Sequence, residues 1–121
     1  MYKVCVNQIN VHNIDEAIIF YTEKLGFEIT SKEMYPHIVP LKNDGIYLLL
    51  SQGEKPTTID YPKQAQSLIN FQTDSLSTTM ETLKDRGVEF LHAEPQQCPV
   101  GVFAAFRDPS GNVHEFVEFQ N

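Results

Sequence analysis

Cysteine, tryptophan and basic residues are scarce in this chain of 121 residues. The sequence has two cysteines, no tryptophan, and nine lysines and arginines against sixteen aspartates and glutamates. The two cysteines, Cys5 and Cys98, lie far apart in sequence, which excludes the usual zinc-ligand spacings and the disulfide frameworks of small secreted proteins. We therefore expect a reduced, cytoplasmic protein.

The charge balance and the lack of long apolar runs exclude two classes of partner. A net charge of −7 disfavours binding to the phosphates of nucleic acid or to an anionic membrane surface. No apolar run reaches membrane-spanning length, and the opening MYKVCVNQINVHN lacks the pattern of a signal peptide. We expect neither a nucleic-acid partner nor a membrane partner.

Two helix patterns are present, and their capping and terminating residues are similarly placed. In NIDEAIIFYTEKLG, Asn13 can cap the helix, Glu16 can complete a capping box, and Gly26 can supply the left-handed end. In DSLSTTMETLKDRG, Asp74 and Gly87 take the cap and end positions. The two caps are 61 positions apart (74 − 13), and so are the two glycines (87 − 26). A shared offset of this kind indicates an internal repeat.

Short strand-like stretches surround each helix in the same order. VCVNQINV precedes the first helix and FEITSKEM, PHIVPL and GIYLLLS follow it; SLINFQT precedes the second, and VEFLHA, GVFAAFRD and NVHEFVEF follow it. The DPSG between the last two stretches is typical of a type I turn, which predicts a hairpin. The sequence thus predicts an α+β fold in one domain, residues 1–121, made of two tandem βαβββ modules (1–52 and 66–121) joined by a linker (53–65).

The motif NIDEAIIFYTEKLGF, together with the late DPSGNxxEF, resembles the vicinal oxygen chelate superfamily. That superfamily includes glyoxalases, extradiol dioxygenases, fosfomycin-resistance enzymes and bleomycin-resistance proteins. The resemblance implies that the two modules form a curved, mainly antiparallel sheet cup with helices on its outer face, usually completed in a homodimer. It also implies a small-molecule ligand in the cup, frequently over a metal held by two residues from each module.

Strand alternation sorts the polar residues that would face such a cup. Neighbouring strand residues point to opposite faces, and the apolar face is the one that packs under the helix. The polar face of the first strand of each module carries Gln8 and Asn10, and Asn70 and Gln72. The resemblance adds Glu115 from the last strand. These five residues, Gln8, Asn10, Asn70, Gln72 and Glu115, are the predicted ligand-binding set. The alternative is a solvated sheet face with ordinary polar residues.

The adjacent pair His114–Glu115 cannot bind one ion together, because neighbours in a strand point to opposite faces. The other histidines, His12, His37 and His92, lie outside the predicted cup face by spacing. We interpret them as surface or loop residues.

The resemblance places the four metal-ligand positions on Val6, Leu49, Leu68 and Glu115. Three of these side chains are hydrocarbon and donate no lone pair, so we predict no metal and no other cofactor. An alternative, which requires a shifted strand register, is a divalent metal at Glu115 with Gln8.

Three functions remain open from the sequence. A carboxylate among apolar residues holds its proton more tightly, so Glu115 is the candidate catalytic base or the partner of a cationic ligand. Alternatively it only hydrogen-bonds Gln8 or Asn70.

The prediction is a protein that binds a small organic molecule without the family metal. A metal-dependent lyase, isomerase or dioxygenase is the alternative, and an interaction module with a vestigial cup is the third.

Overall fold

The computed structural model describes residues 1–64 and 67–121 and divides the chain into two compact units, Met1–Thr57 and Thr58–Asn121. Each unit contains one sheet and one helical segment, so the predicted α+β class is confirmed. The predicted end of the linker at residue 65 and start of the second module at residue 66 lie outside the described residues. No helix among the described residues is both long enough and apolar enough to cross a lipid bilayer.

The first unit places a three-stranded sheet beside one helical segment. Its elements are β1 (Val6–Val11), α1 (Ile14–Ile19), which continues as a π-helical turn (Phe20–Lys24), β2 (Ile38–Leu41) and β3 (Tyr47–Gln52). The strand order is β1-β3-β2, with β1 parallel and β2 antiparallel to β3. The first strand of the unit therefore pairs with its last strand, and the helical segment lies between them in sequence.

Helix α1 begins and ends where its capping residues predict. Asn13 accepts a hydrogen bond from the N–H of Glu16 at 3.1 Å, and Gly26 adopts a left-handed φ of +88°. The side chain of Gln52 accepts a second bond, from the N–H of Ile14 at 2.8 Å. Because an uncapped helix start leaves N–H groups without partners, these two bonds fix where the helix meets β3.

The predicted strand FEITSKEM is wrong for most of its length. Only an isolated bridge between Ile29 and Leu41 remains of it. The N–H of Glu33 bonds to the hydroxyl of Ser31 at 3.1 Å, and the N–H of Tyr35 bonds to the carbonyl of Lys32 at 3.2 Å. Local bonds of this kind satisfy the backbone in a turn and compete with a strand ladder.

The second unit has a larger sheet. Its elements are β4 (Asn70–Gln72), α2 (Leu76–Asp85), β5 (Glu89–Phe90), β6 (Gln96–Cys98), β7 (Gly101–Arg107) and β8 (Val113–Phe119). The order is β4-β8-β7-β5, with β4 parallel to β8, while β6 pairs with β7 beside this path. Cys98 is the last residue of the short strand β6.

Two turns of the second unit show how local side chains set element ends. The cap of α2 is Ser75, whose hydroxyl accepts from the N–H of Thr78 at 3.3 Å, and not Asp74 as the sequence suggested. The predicted hairpin between β7 and β8 is confirmed. In its turn, Asp108 Oδ1 accepts from the N–H groups of Ser110 and Asn112, each at 2.9 Å.

Aromatic rings fill the space between α2 and the sheet. Phe106 has no exposed surface, and its ring centroid lies 5.0 Å from that of Phe116, 5.9 Å from Phe90 and 6.2 Å from Phe71. His114 belongs to the same layer, 5.5 Å from the Phe106 ring. Burying such rings removes a large apolar area from water and so stabilises this unit.

Burial of His114 makes stability depend on pH. Desolvation lowers its pKa to about 4 from 6.5, although the nearby Asp108 carboxylate acts in the opposite direction. Between these two values the unfolded chain binds a proton that the native chain excludes, so stability falls as the pH falls from about 6.5 to 4. We expect a loss of about 3 kcal/mol over this range, seen as a falling urea midpoint.

The His114→Phe variant should lose this part of the pH dependence, because the ring is kept while the titrating group is removed. His37→Gln, at an exposed histidine, should keep the wild-type slope. Equal slopes in wild type and His114→Phe between pH 4 and 6.5 would show that His114 does not contribute.

Candidate functional site

The face of the second unit's sheet that is turned away from α2 carries the candidate site, and we refer to it as the open face. On β8, Glu118 lies on the helix side, because its Oε1 accepts the N–H of Leu76 at the start of α2, at 2.8 Å. Glu115 is three residues away and therefore points to the other side. Paired residues of neighbouring strands share a face, so the open face also carries Asn70, Gln72, Phe103, Ala105 and Val117.

The Glu115 carboxylate is hydrogen-bonded to a tyrosine from outside the sheet. The hydroxyl of Tyr61 donates to Oε2 of Glu115 at 2.7 Å, and both side chains are half-buried. Tyr61 and the buried Ile59 pack with Ala105 and Val113 against the open face. The segment that the sequence assigned to the linker thus supplies a residue of the site.

The environment of Tyr61 keeps its phenol protonated. Burial, followed by the hydrogen bond to the Glu115 carboxylate, raises the pKa of Tyr61 well above its usual value of 10.0. A neutral phenol is a hydrogen-bond donor. Tyr61 therefore donates one hydrogen bond to the carboxylate and brings no positive charge to it.

Arg107 also lies on the open face, but its guanidinium has other partners. Nη2 donates to the carbonyl of Ile59 at 3.0 Å, Nη1 to the carbonyl of Gly111 at 3.4 Å, and Nε lies 3.5 Å from a carboxylate oxygen of Glu89. Among the residues that the structure describes, none forms an ion pair with Glu115. Within that part of the chain, Tyr61 is therefore the only side chain that bonds the Glu115 carboxylate.

A row of rings continues from Tyr61 along the open face. The centroids of Tyr61 and His92 are 5.8 Å apart, and those of His92 and Phe103 are 5.5 Å apart, both in edge-to-face geometry. His92 Nδ1 accepts the N–H of Ala105 at 3.1 Å. His92 lies in a loop after β5 ends at Phe90, as the sequence suggested, but this loop brings the imidazole against the open face, which spacing along the chain did not predict.

The other predicted residues of the second unit lie beside this group. Asn70 is the register partner of Glu115 and Gln72 that of Val117, and both amides are exposed. Leu68, a predicted metal position, packs against the Ala105 and Val113 cluster. A role of Asn70 and Gln72 in ligand binding remains a prediction.

The predicted residues of the first unit lie on the exposed face of β1. Gln8 and Asn10 alternate with the buried Ile9 and Val11, and Nε2 of Gln8 donates to Oδ1 of Asn10 at 3.0 Å. The alternative metal site takes Gln8 from this unit and Glu115 from the other, and it remains a prediction.

The donor atoms do not suit a metal of the family type. Within residues 1–64 and 67–121, no group of three or more histidine, cysteine, aspartate or glutamate side chains could hold a metal ion. Glu115 is bonded to a phenol and has the neutral Asn70 as its register partner. Of the other implied positions, Leu49 pairs with Gln8 in register but is itself hydrocarbon, as is Val6. A single carboxylate does not retain a transition metal against water.

Comparison with known proteins decides the family. The model of the Glyoxalase/Bleomycin resistance protein/Dioxygenase superfamily matches residues 4–116. The chain belongs to this superfamily. The resemblance drawn from the two sequence motifs is thereby confirmed.

The chain is similar to two uncharacterized proteins of Bacillus subtilis (strain 168). YurT is 33% identical over 128 residues, covering 96% of this chain and 98% of YurT. YetH is 32% identical over 111 residues, covering 85% of this chain and 87% of YetH.

Solved structures with a similar fold extend the comparison. TnmS3, an antibiotic binding protein from Streptomyces sp. CB03234, gives a TM-score of 0.76 at 24% identity, with coverage of 99% of this chain and 98% of TnmS3. Lactoylglutathione lyase from Agrobacterium tumefaciens gives 0.71 at 19% identity, with coverage of 98% and 94%. At these identities the likeness shows a shared fold, and one binding protein and one enzyme share it.

Proposed function

We propose that this protein binds a small organic molecule on the open face of its second unit, around Glu115 and Tyr61, without a metal ion. The observation that carries the proposal is the half-buried carboxylate held by Tyr61 beside a row of aromatic rings. Few polar groups at fixed positions within an apolar and aromatic surface are typical of small-molecule sites. TnmS3, which has a similar fold, is an antibiotic binding protein, and this supports the proposed binding function.

The proposal includes a homodimer in the cytoplasm, as the sequence suggested. A ligand-binding role of Gln8 and Asn10 in the first unit stays a prediction. In this proposal Asn70 and Gln72 orient the ligand through their exposed amides, which lie on the same face as Glu115. Glu115 acts as the acceptor for a donor group of the ligand.

A thermal-shift screen of metabolites and antibiotics, followed by calorimetry on the compounds that raise the melting temperature, tests the binding function. We expect Glu115→Gln to weaken binding of such a compound tenfold or more, because a hydrogen bond to a charged group contributes roughly 1.5–3 kcal/mol. Asp85→Asn, at an exposed carboxylate on α2, is the control and should bind as the wild type does. Unchanged affinity in Glu115→Gln would place the ligand elsewhere.

Analysis of products and metal content separates binding from the enzyme alternative. We expect the ligand to be recovered unchanged, and the protein purified without added metal to contain less than stoichiometric zinc, nickel, iron or manganese. A stoichiometric metal that disappears in Glu115→Gln would contradict the proposal and favour a metal-dependent lyase, isomerase or dioxygenase. Turnover without metal would assign Glu115 to catalysis as a general base.

A further inference from the structure

The charge around Glu115 is unbalanced within the second unit. Its Oε2 accepts from the neutral Tyr61 phenol, and among the described residues no other hydrogen-bond donor to this carboxylate is found. Arg107, the cation on the same face, is bonded to two backbone carbonyls and to Glu89. The neighbouring Asn70 and Gln72 amides carry no charge. A half-buried carboxylate without a counter-ion is stabilised most by a ligand that brings a positive charge.

The rings near this carboxylate favour a cation with an apolar body. Tyr61, His92 and Phe103 form a continuous edge-to-face row, and the buried Ala105 lies opposite Glu115 in the sheet. Aromatic rings attract ammonium groups and also pack against hydrocarbon. The net charge of −7 adds a long-range attraction for cations and a repulsion for anions.

We infer that the ligand is an organic cation whose ammonium or amidinium group bonds Glu115, and whose apolar or aromatic body lies along the Tyr61, His92 and Phe103 row. This inference rests on the proposed function, because it specifies the ligand of the same site. A neutral alcohol could satisfy the second carboxylate oxygen but would leave the charge uncompensated. A carboxylate ligand would place two negative charges together.

Three probes of nearly the same shape test the charge preference. They are 2-naphthylmethylammonium, 2-naphthylmethanol and 2-naphthoate, each titrated into the full-length protein at pH 7 and followed by amide NMR shifts. We expect the ammonium to bind at least tenfold more tightly than the alcohol, and the carboxylate to bind most weakly. The largest shifts should fall on the amides of Asn70, Ala105 and Glu115.

Three variants separate the local carboxylate from the overall charge. Glu115→Gln removes the charge at nearly constant shape, so the ammonium should lose its advantage while the alcohol binds as before. Asp85→Asn lowers the net negative charge by the same amount on α2 and should leave the preference unchanged. Tyr61→Phe keeps the carboxylate and should keep the preference for the ammonium. Melting temperatures of the variants within a few degrees of wild type establish that each one is folded.

The results distinguish the inference from the proposed function. If the alcohol or the carboxylate shifts the same amides with equal or higher affinity, the cation inference is overturned while a binding site on the open face stands. If Asp85→Asn reduces ammonium binding as much as Glu115→Gln does, the preference arises from overall charge and the inference is also overturned. If none of the three probes shifts these amides, both the inference and the proposed site are overturned.

Discussion

Replacing Phe106 by alanine should lower the free energy of unfolding by about 4 kcal/mol, because a fully buried aromatic side chain is lost and a cavity remains. Phe106 has 0% exposed surface and contacts the rings of Phe71, Phe90 and Phe116 between the sheet and α2. The measurement is urea unfolding followed by circular dichroism. The midpoint should fall while the slope with denaturant stays the same.

Phe119→Ala is the matched control for this substitution. Phe119 is the same residue type on the adjacent strand β8, but 57% of its surface is exposed. Little apolar area leaves the core in this variant, so we expect less than about 1 kcal/mol. Similar losses at both positions would contradict the burial of Phe106.

Gly101→Ala should cost on the order of 3 kcal/mol, through steric overlap as well as backbone strain. Gly101 begins β7 with a φ of +152°, and a Cβ there would lie 2.1 Å from the carbonyl oxygen of Glu118 and 2.8 Å from the amide nitrogen of Gln120. Both are backbone atoms of the neighbouring strand and its continuation, so the end of the β7–β8 pairing would have to separate. Thermal unfolding and the amide shifts of residues 117–120 measure this effect.

Gly45→Ala isolates the contribution of the backbone angle. Gly45 has a φ of +95°, but no atom lies within 4 Å of the position of its added Cβ. We expect a loss of about 1–2 kcal/mol from conformation alone. The additional loss of stability at Gly101 then measures the steric overlap of the new Cβ with β8. Equal losses at the two glycines would show that β8 moves aside without a free-energy cost.

Regular elements were predictable from the sequence because their information is local and periodic. Asn13 and Gly26 mark the helix ends by capping chemistry, and the alternation along β4 places Asn70 and Gln72 on the face away from Phe71. The strand predicted for FEITSKEM failed where Ser31 offers the backbone a closer hydrogen-bond partner. The periodicity of apolar residues does not reveal that a side chain competes with a neighbouring strand for backbone hydrogen bonds.

The candidate site was predictable in part. Glu115 follows from its motif and strand position, whereas Tyr61 and His92 come from segments without periodicity. Tyr61 reaches the sheet because residues 59–61 pack on it, and the only sequence indication is an apolar and an aromatic residue in an otherwise polar segment. His92 reaches it because β5 stops after two residues. Both placements depend on tertiary packing, which spacing along the chain does not encode.

The parallel pairing of first and last strands constrains how each unit forms during synthesis. Val6 pairs with Tyr47, 41 positions later (47 − 6), and Asn70 pairs with Glu115, 45 positions later (115 − 70). While the chain leaves the ribosome, β1 and β4 therefore lack these pairing partners until nearly the whole unit has been made. Contacts of such long sequence separation slow folding. Each unit is thus expected to complete its sheet late, when its last strand is available to pair with its first.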